Sequence, residues 1–255
     1  MIMICINHLQ TRVSQAHVFN SIIAATLVLI GSTTFATSLR PINLAETVDL
    51  AKTAFVAHIT NIQLVQTRIG AGEQITANIL RPVFGVPETS STAVWIQFRP
   101  GAGGARLAGM PQFQIGKDYL IYLSGRSGNS PYSAPIGFGY GSFLIHKSQK
   151  SSATLAQNEF HNWTLYRNLD TGALSRAMVA RDSRTRALPV ARQEAAARSK
   201  EAGLRMGSAG AANLDALIEA SQTMKALNDS GSSASKVFFT KAKPEPLSLN
   251  GVKRH

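Results

Sequence analysis

The chain has 255 residues, 44% hydrophobic and only 16% charged, with a net charge of +12. That is enough apolar material for one good core plus an appendage, and low charge with abundant Ser, Thr, Ala and Gly suits an exported bacterial protein better than a cytosolic enzyme. The single cysteine, Cys5, falls within the first 36 residues, so the chain beyond it has no disulfide and no thiolate metal site, and its core rests on packing.

Residues 1–36 resemble a targeting segment: a polar start with Arg12 and no acid, an apolar run from Ile22 to Ile30, then small residues ending at Ala36. The run is short of the roughly 20 residues needed to span a bilayer, so cleavage after Ala36 is expected, with an uncleaved anchor as the alternative. The expected location is periplasmic or secreted. Outside the inner membrane a cationic protein attracts anionic lipid, cell-wall polymers or acidic proteins, and nucleic acid is a poor candidate.

Residues 37–150 read as a β domain. Leu44, Val48 and Ala51 are spaced for one face of a short helix that caps the sheet, and 54–64 reads as a long first strand. A turn at Gly70–Gly72 leads to an alternating strand over 74–80. Pro82 should bend the chain away. Next, Val94, Ile96 and Phe98 point one way, which leaves Trp95, Gln97 and Arg99 on a possible outer face. The glycine-rich loop 99–106 lacks the spacing of a phosphate cradle and precedes a strand.

The stretch 109–125 predicts a hairpin: a short strand with Phe113 and Ile115, a turn at Gly116-Lys117, and the wholly apolar Tyr119–Leu123, which should be buried on both faces. Alternating glycines and aromatics over 137–141 suit a sharply bent strand continuing to His146. Residues 151–170 read as extended cover or an extra strand, the strand falling near 160–166. The Ala-, Arg- and Ser-rich 171–212 carries few large apolar residues and is expected to be a flexible basic insertion. Asn213 caps an amphipathic helix over 213–228 that should dock on the β domain, and 229–255 is expected to be a disordered tail.

Phe55-Val56-Ala57-His58-Ile59, Ile79-Leu80-Arg81-Pro82-Val83-Phe84-Gly85, Phe98-Arg99-Pro100-Gly101, Pro111–Leu120 and Gly139-Tyr140-Gly141-Ser142-Phe143 together resemble a group of uncharacterised exported bacterial proteins. Their strand order suggests the netrin-like, OB-type barrel shared with tissue inhibitors of metalloproteinases. The resemblance implies a mainly β fold, a small closed or partly open barrel of five to six strands with a C-terminal helix, and no activity. Those inhibitors reach zinc through an N-terminal cysteine. Thr37, the expected mature terminus, offers none, so no functional residue carries over.

The remaining histidines, His58, His146, His161 and His255, show no metal-ligand spacing, and no cofactor is expected. Acids in the β domain sit at element ends, and Gly125-Arg126-Ser127-Gly128 misses the nucleophile-elbow pattern. Asn162-Trp163-Thr164 and Asn228-Asp229-Ser230 fit the glycosylation acceptor. One constellation suits ligand binding on a barrel face, where aromatics stack and cations attract: Trp95, Arg99, Arg106, Tyr119 or Tyr122, and Tyr140. The expected function is a non-enzymatic envelope binding protein whose partner is an anionic polymer or another envelope protein. The alternatives are an envelope hydrolase whose His and acid residues meet only in the fold, and a cationic protein that adheres to anionic surfaces.

Overall fold

The computed structural model describes residues 40–68, 70–99, 109–125, 130, 132–149, 151–206 and 210–239. The targeting segment, most of the glycine-rich loop and the end of the tail lie outside them. The chain opens with helix α1 (Leu44–Leu50), started by a capping box: the Glu46 N–H donates to Asn43 Oδ1 (3.0 Å) and the Asn43 N–H to Glu46 Oε2 (3.1 Å). Strands β1 (Thr53–Thr67), β2 (Gly70–Phe84), β3 (Thr92–Phe98), β4 (Asp118–Leu123), β5 (Ser142–Lys147), β6 (Thr154–Asn158) and β7 (Ala212–Asn213) form one antiparallel sheet in the order β3-β2-β1-β4-β5-β6-β7. Helices α2 (Thr171–Arg181), α3 (Ser183–Arg186), α4 (Val190–Gly203), α5 (Leu214–Asp229) and α6 (Ala234–Phe238) complete the fold. No helix among the described residues is long and apolar enough to cross a membrane.

The sheet has a core on each side. Ala54 and Val56 of β1, Leu120 and Tyr122 of β4 and Phe143 of β5 pack under the helices with Leu217, Ile218 and Met224 of α5. Phe55, Ala57 and Ile59 of β1 pack instead with Ile75, Trp95, Tyr119, Ile121 and Phe113. Alternation along β1 and β4 feeds both clusters, so every residue from Tyr119 to Leu123 is buried, as the apolar run requires.

Several expectations are corrected. The sheet has seven strands and is not closed: β5 leads on to β6 and β7 instead of returning to β3, and the Ile96 carbonyl of β3 accepts from the Ser133 N–H (3.0 Å). The hairpin at 109–125 is absent. Residues 109–117 are irregular because the Gly116 N–H and the Lys117 carbonyl are both bonded to Ile59, with Gly116 at φ 81, while Phe113 turns inward. Pro82 does not bend the chain away; β2 runs through it to Phe84. β3 ends opposite Asn78, so Pro82 lies on an edge, where the ladder with β1 also slips register. Residues 138–141 form a 3-10 turn.

The strand expected at 160–166 is a turn. The Asn158 N–H donates to Asn162 Oδ1 and the Asn162 N–H to Asn158 Oδ1, with His161 and Asn162 in the left-handed region. Asn162 is fully buried, which removes it as a glycosylation acceptor. The expected flexible insertion is largely helical. Its few large side chains suffice because Leu174, Met178, Val179 and Leu204 are all buried, and Asp170 and Asp182 cap α2 and α3. The described part of the tail is ordered as α6, with Ala234 and Phe238 in the helix-side core.

One buried polar contact ties α5 to the sheet and a second polar contact joins α1 to α6. Ser221 of α5 donates to the Leu217 carbonyl (2.7 Å), so the buried Tyr122 hydroxyl is the donor in its 2.6 Å bond to Ser221 Oγ. Asp49 of α1 accepts from the hydroxyls of Ser233 and Ser235 (2.8 and 2.6 Å) at the start of α6. Burial opposes ionisation of Asp49, but these hydrogen bonds outweigh it and hold the carboxyl below 3.8.

Ser221→Ala leaves the Tyr122 hydroxyl buried without an acceptor and should cost about 1–3 kcal/mol in denaturant unfolding, more than Tyr122→Phe. The double variant should be no less stable than Ser221→Ala, and additive losses would refute this coupling. A depressed folded-state pKa gives stability that is present above the ordinary value of 3.8 and lost as pH falls below it. Asp49→Asn should therefore lose about 1 kcal/mol against wild type at neutral pH, a figure kept small by solvent screening, and this deficit should shrink in acid.

Candidate functional site

The expected aromatic face does not exist as a surface. Trp95 is 1% exposed and lies in the cluster away from the helices, edge-on to Phe55 and Phe113 at 6.3 and 5.4 Å. Tyr122 is fully buried on the opposite side of the sheet. Tyr140 is buried and stacked on Phe160 at 4.2 Å. Burial pushes the phenols of Tyr122 and Tyr140 up, which keeps both neutral. Arg106 lies outside the described residues. Of the expected set only Arg99 stays accessible, paired with Glu73 at 3.0 Å. Trp163 is the exposed tryptophan, at 72%.

The inner and outer faces of β3 are the reverse of the sequence expectation. Val94 and Phe98 are exposed while Trp95 and Gln97 are buried. One indole against two phenyl rings buries more apolar surface than the smaller aliphatics would, and Gln97 is carried inward with it.

Gln97 opens onto a recess of 340 Å3 between the ends of β2 and β3 and the segment Met110–Gln114. Its wall includes Glu73, Phe98, Arg99 and Phe113. Gln97 Nε2 donates to Glu73 Oε2 (2.9 Å) and to the Pro111 carbonyl (3.4 Å). Two acceptors on one side fix the amide orientation, so Oε1 is the other end. Among the described residues that buried oxygen has no hydrogen-bond partner, and the same holds for Trp95 Nε1, two residues earlier on the same face. Glu73 and Arg99 balance, leaving the recess without net charge.

A chain of hydrogen bonds holds the 110–114 segment in place. The Gln112 N–H donates to Glu159 Oε1 (2.8 Å), the Tyr119 hydroxyl to the Gln112 carbonyl (3.4 Å), and the Gln114 N–H to the Tyr119 oxygen (3.2 Å). Burial, with Glu159 nearby, pushes Tyr119 above 10.0, so it stays a neutral donor. A second recess of 390 Å3 lies on the other side of this segment, sharing Pro111, Gln112 and Gln114 and adding Gln157 and Asn158. Side-chain amides thus recur on both sides of one ridge.

The fold does assemble one histidine–acid pair. His58 and Asp118 are cross-strand partners in β1 and β4, with Nδ1 to Oδ1 at 2.7 Å. The side chains are 40% and 42% exposed, and neither lines a recess described above. Among the described residues the His58 ring makes no second hydrogen bond, and no cluster of three His, Cys, Asp or Glu is placed to hold a metal. His146 is exposed on β5.

Sequence reading missed the Gln97 recess because a glutamine on an alternating strand reads as an outward polar residue. The one available signal was Phe113 close to a turn glycine, an apolar side chain that needs a core to enter. No family model matches the chain, and no curated protein matches it.

Proposed function

We propose that this chain is an exported, non-enzymatic binding protein of the cell envelope, and that it takes a glycan bearing hydroxyl and amide groups into the recess at Gln97. The observation that carries the proposal is the buried, unpaired Gln97 carbonyl oxygen, in an amide whose orientation two acceptors fix. A buried acceptor left unmade costs about 1–3 kcal/mol, and a ligand hydroxyl or N–H recovers it. The charge-balanced wall disfavours an ion, and the exposed amides of Gln112 and Gln114 offer paired donors and acceptors to sugar hydroxyls.

A peptide adding to the β3 edge is less well supported, because Ser133 already occupies the Ile96 carbonyl there. The export reading rests on residues 1–36. The neighbouring strands β3, β2, β1 and β4 all contribute side chains to the cluster that contains Trp95, which is consistent with the partly open OB-like description, and OB-type proteins bind ligands on a barrel face. The hydrolase alternative has the His58–Asp118 contact in its favour. It needs a nucleophile or water at the second ring nitrogen, on a surface that does not exclude solvent.

The chain has two tryptophans, so Trp163→Phe leaves Trp95 as the only indole, next to the recess wall at Phe113. Titrating that variant with a short oligomer of N-acetylglucosamine should change its emission saturably at physiological salt. Adding Gln97→Met removes the unpaired acceptor along with the donor to Glu73 and the Pro111 carbonyl, and should weaken binding about tenfold while the chain stays folded at the assay temperature. No saturable change, or equal affinity in the Gln97→Met chain, would sink the proposal. Binding that salt abolishes would mean cationic adhesion instead.

A further inference from the structure

The helices carry a second surface unrelated to the recess. α3 and the turn into α4 form an exposed corner in which no residue of α3 is buried. Across 181–193 there are four arginines, Arg181, Arg184, Arg186 and Arg192, against one acid, Asp182. Asp182 faces inward: its carboxylate caps α3 by accepting from the Arg184 N–H (3.0 Å) and its side chain is 24% exposed, whereas that of Arg184 is 92% exposed. Among the described residues neither Arg186 nor Arg192 has a carboxylate within ion-pair distance. Further along α4 the pattern differs. Lys200 pairs with Glu219, and Glu194 and Glu201 line one hollow with Arg176 and Arg198.

An apolar point stands within this basic corner. Val190, just after Pro189 at the start of α4, is 70% exposed, flanked by the exposed Ala187 and Ala191. Pro189 fixes the entry to α4 and leaves Val190 at its first turn. Arg186 and Arg192, without an ion pair among the described residues, and the exposed Arg184, whose Nε lies 3.5 Å from the capping Asp182, surround an exposed branched side chain. This matches an anionic bilayer, where guanidinium groups meet headgroup phosphates and the apolar side chain enters the acyl boundary. A soluble anionic polymer would use the arginines and gain nothing from Val190.

We propose that the corner formed by Arg184, Arg186, Val190 and Arg192 docks the protein on anionic lipid. Binding is peripheral and salt-sensitive, and it leaves the Gln97 recess free.

The test is co-sedimentation of the full chain with vesicles of phosphatidylcholine alone or mixed with phosphatidylglycerol, beside retention on heparin. Wild type should favour the phosphatidylglycerol vesicles. Replacing Arg184, Arg186 and Arg192 together by Gln should reduce that partition by roughly tenfold to a hundredfold, and these exposed positions tolerate Gln without unfolding. Val190→Ser should weaken vesicle binding several-fold and leave heparin retention unchanged. The proposal is overturned by equal binding to both vesicles, by a triple variant that sediments like wild type, or by Val190→Ser behaving as wild type on vesicles while the triple variant loses heparin. The last result would assign the corner to an anionic polymer.

Discussion

Burying both faces of β4 is the constraint on which the rest of the structure depends. Tyr119, Ile121 and Leu123 enter one core and Leu120 and Tyr122 the other, so the strand is stable only if both of its faces are covered and both of its edges paired. β1 and β5 supply the edges. Side chains of the long β1–β2 pair, with Trp95 and Phe113, cover one face. Helices cover the other, with Tyr122 bonded directly to α5 through Ser221. Both cores together bury enough to stabilise a chain that has no disulfide in its described part.

The two covers are built from different materials, and this separates their surfaces. The core containing Trp95 has no helical member among its buried residues, and its rim is the ridge 110–114, where strand ends, an irregular segment and several amides meet. On the helical side α2 and α5 supply the large buried side chains, whereas α4 buries only Ala197 and leaves most of its surface to polar and charged residues. Recess and basic corner therefore depend on different parts of the sheet.

Much of the strand layout was legible in the sequence. The apolar run of β4 announced burial on both sides, the alternation in β2 placed Ile75 and Ala77 inward, and Asn213 with Leu217, Ile218 and Met224 gave α5 its cap and face. Closure was not legible. Whether β5 returns to β3 depends on contacts remote in sequence, such as Ser133 reaching the Ile96 carbonyl. The order of 171–206 was hidden for a related reason: composition counts few large apolar residues but does not say that Leu174, Met178, Val179 and Leu204 all reach the core. The candidate site was the least legible part. Alternation in β3 separated Trp95 and Gln97 from Val94 and Ile96 but did not say which pair faced inward, since three aliphatic or aromatic side chains competed with one indole and its neighbours.

That competition explains how the recess arises. Turning Trp95 inward necessarily turns Gln97 inward too, because strand side chains alternate with period two. Glu73 and Pro111 satisfy the Gln97 nitrogen, and no group among the described residues satisfies its oxygen. The amide nitrogen thus has a structural role at this position, while the oxygen has none among the described residues. The proposed glycan, by donating to Oε1, would give that oxygen its role. On that reading the polar defect is the ligand's point of attachment, and the stability withheld from the free protein is returned when the ligand binds.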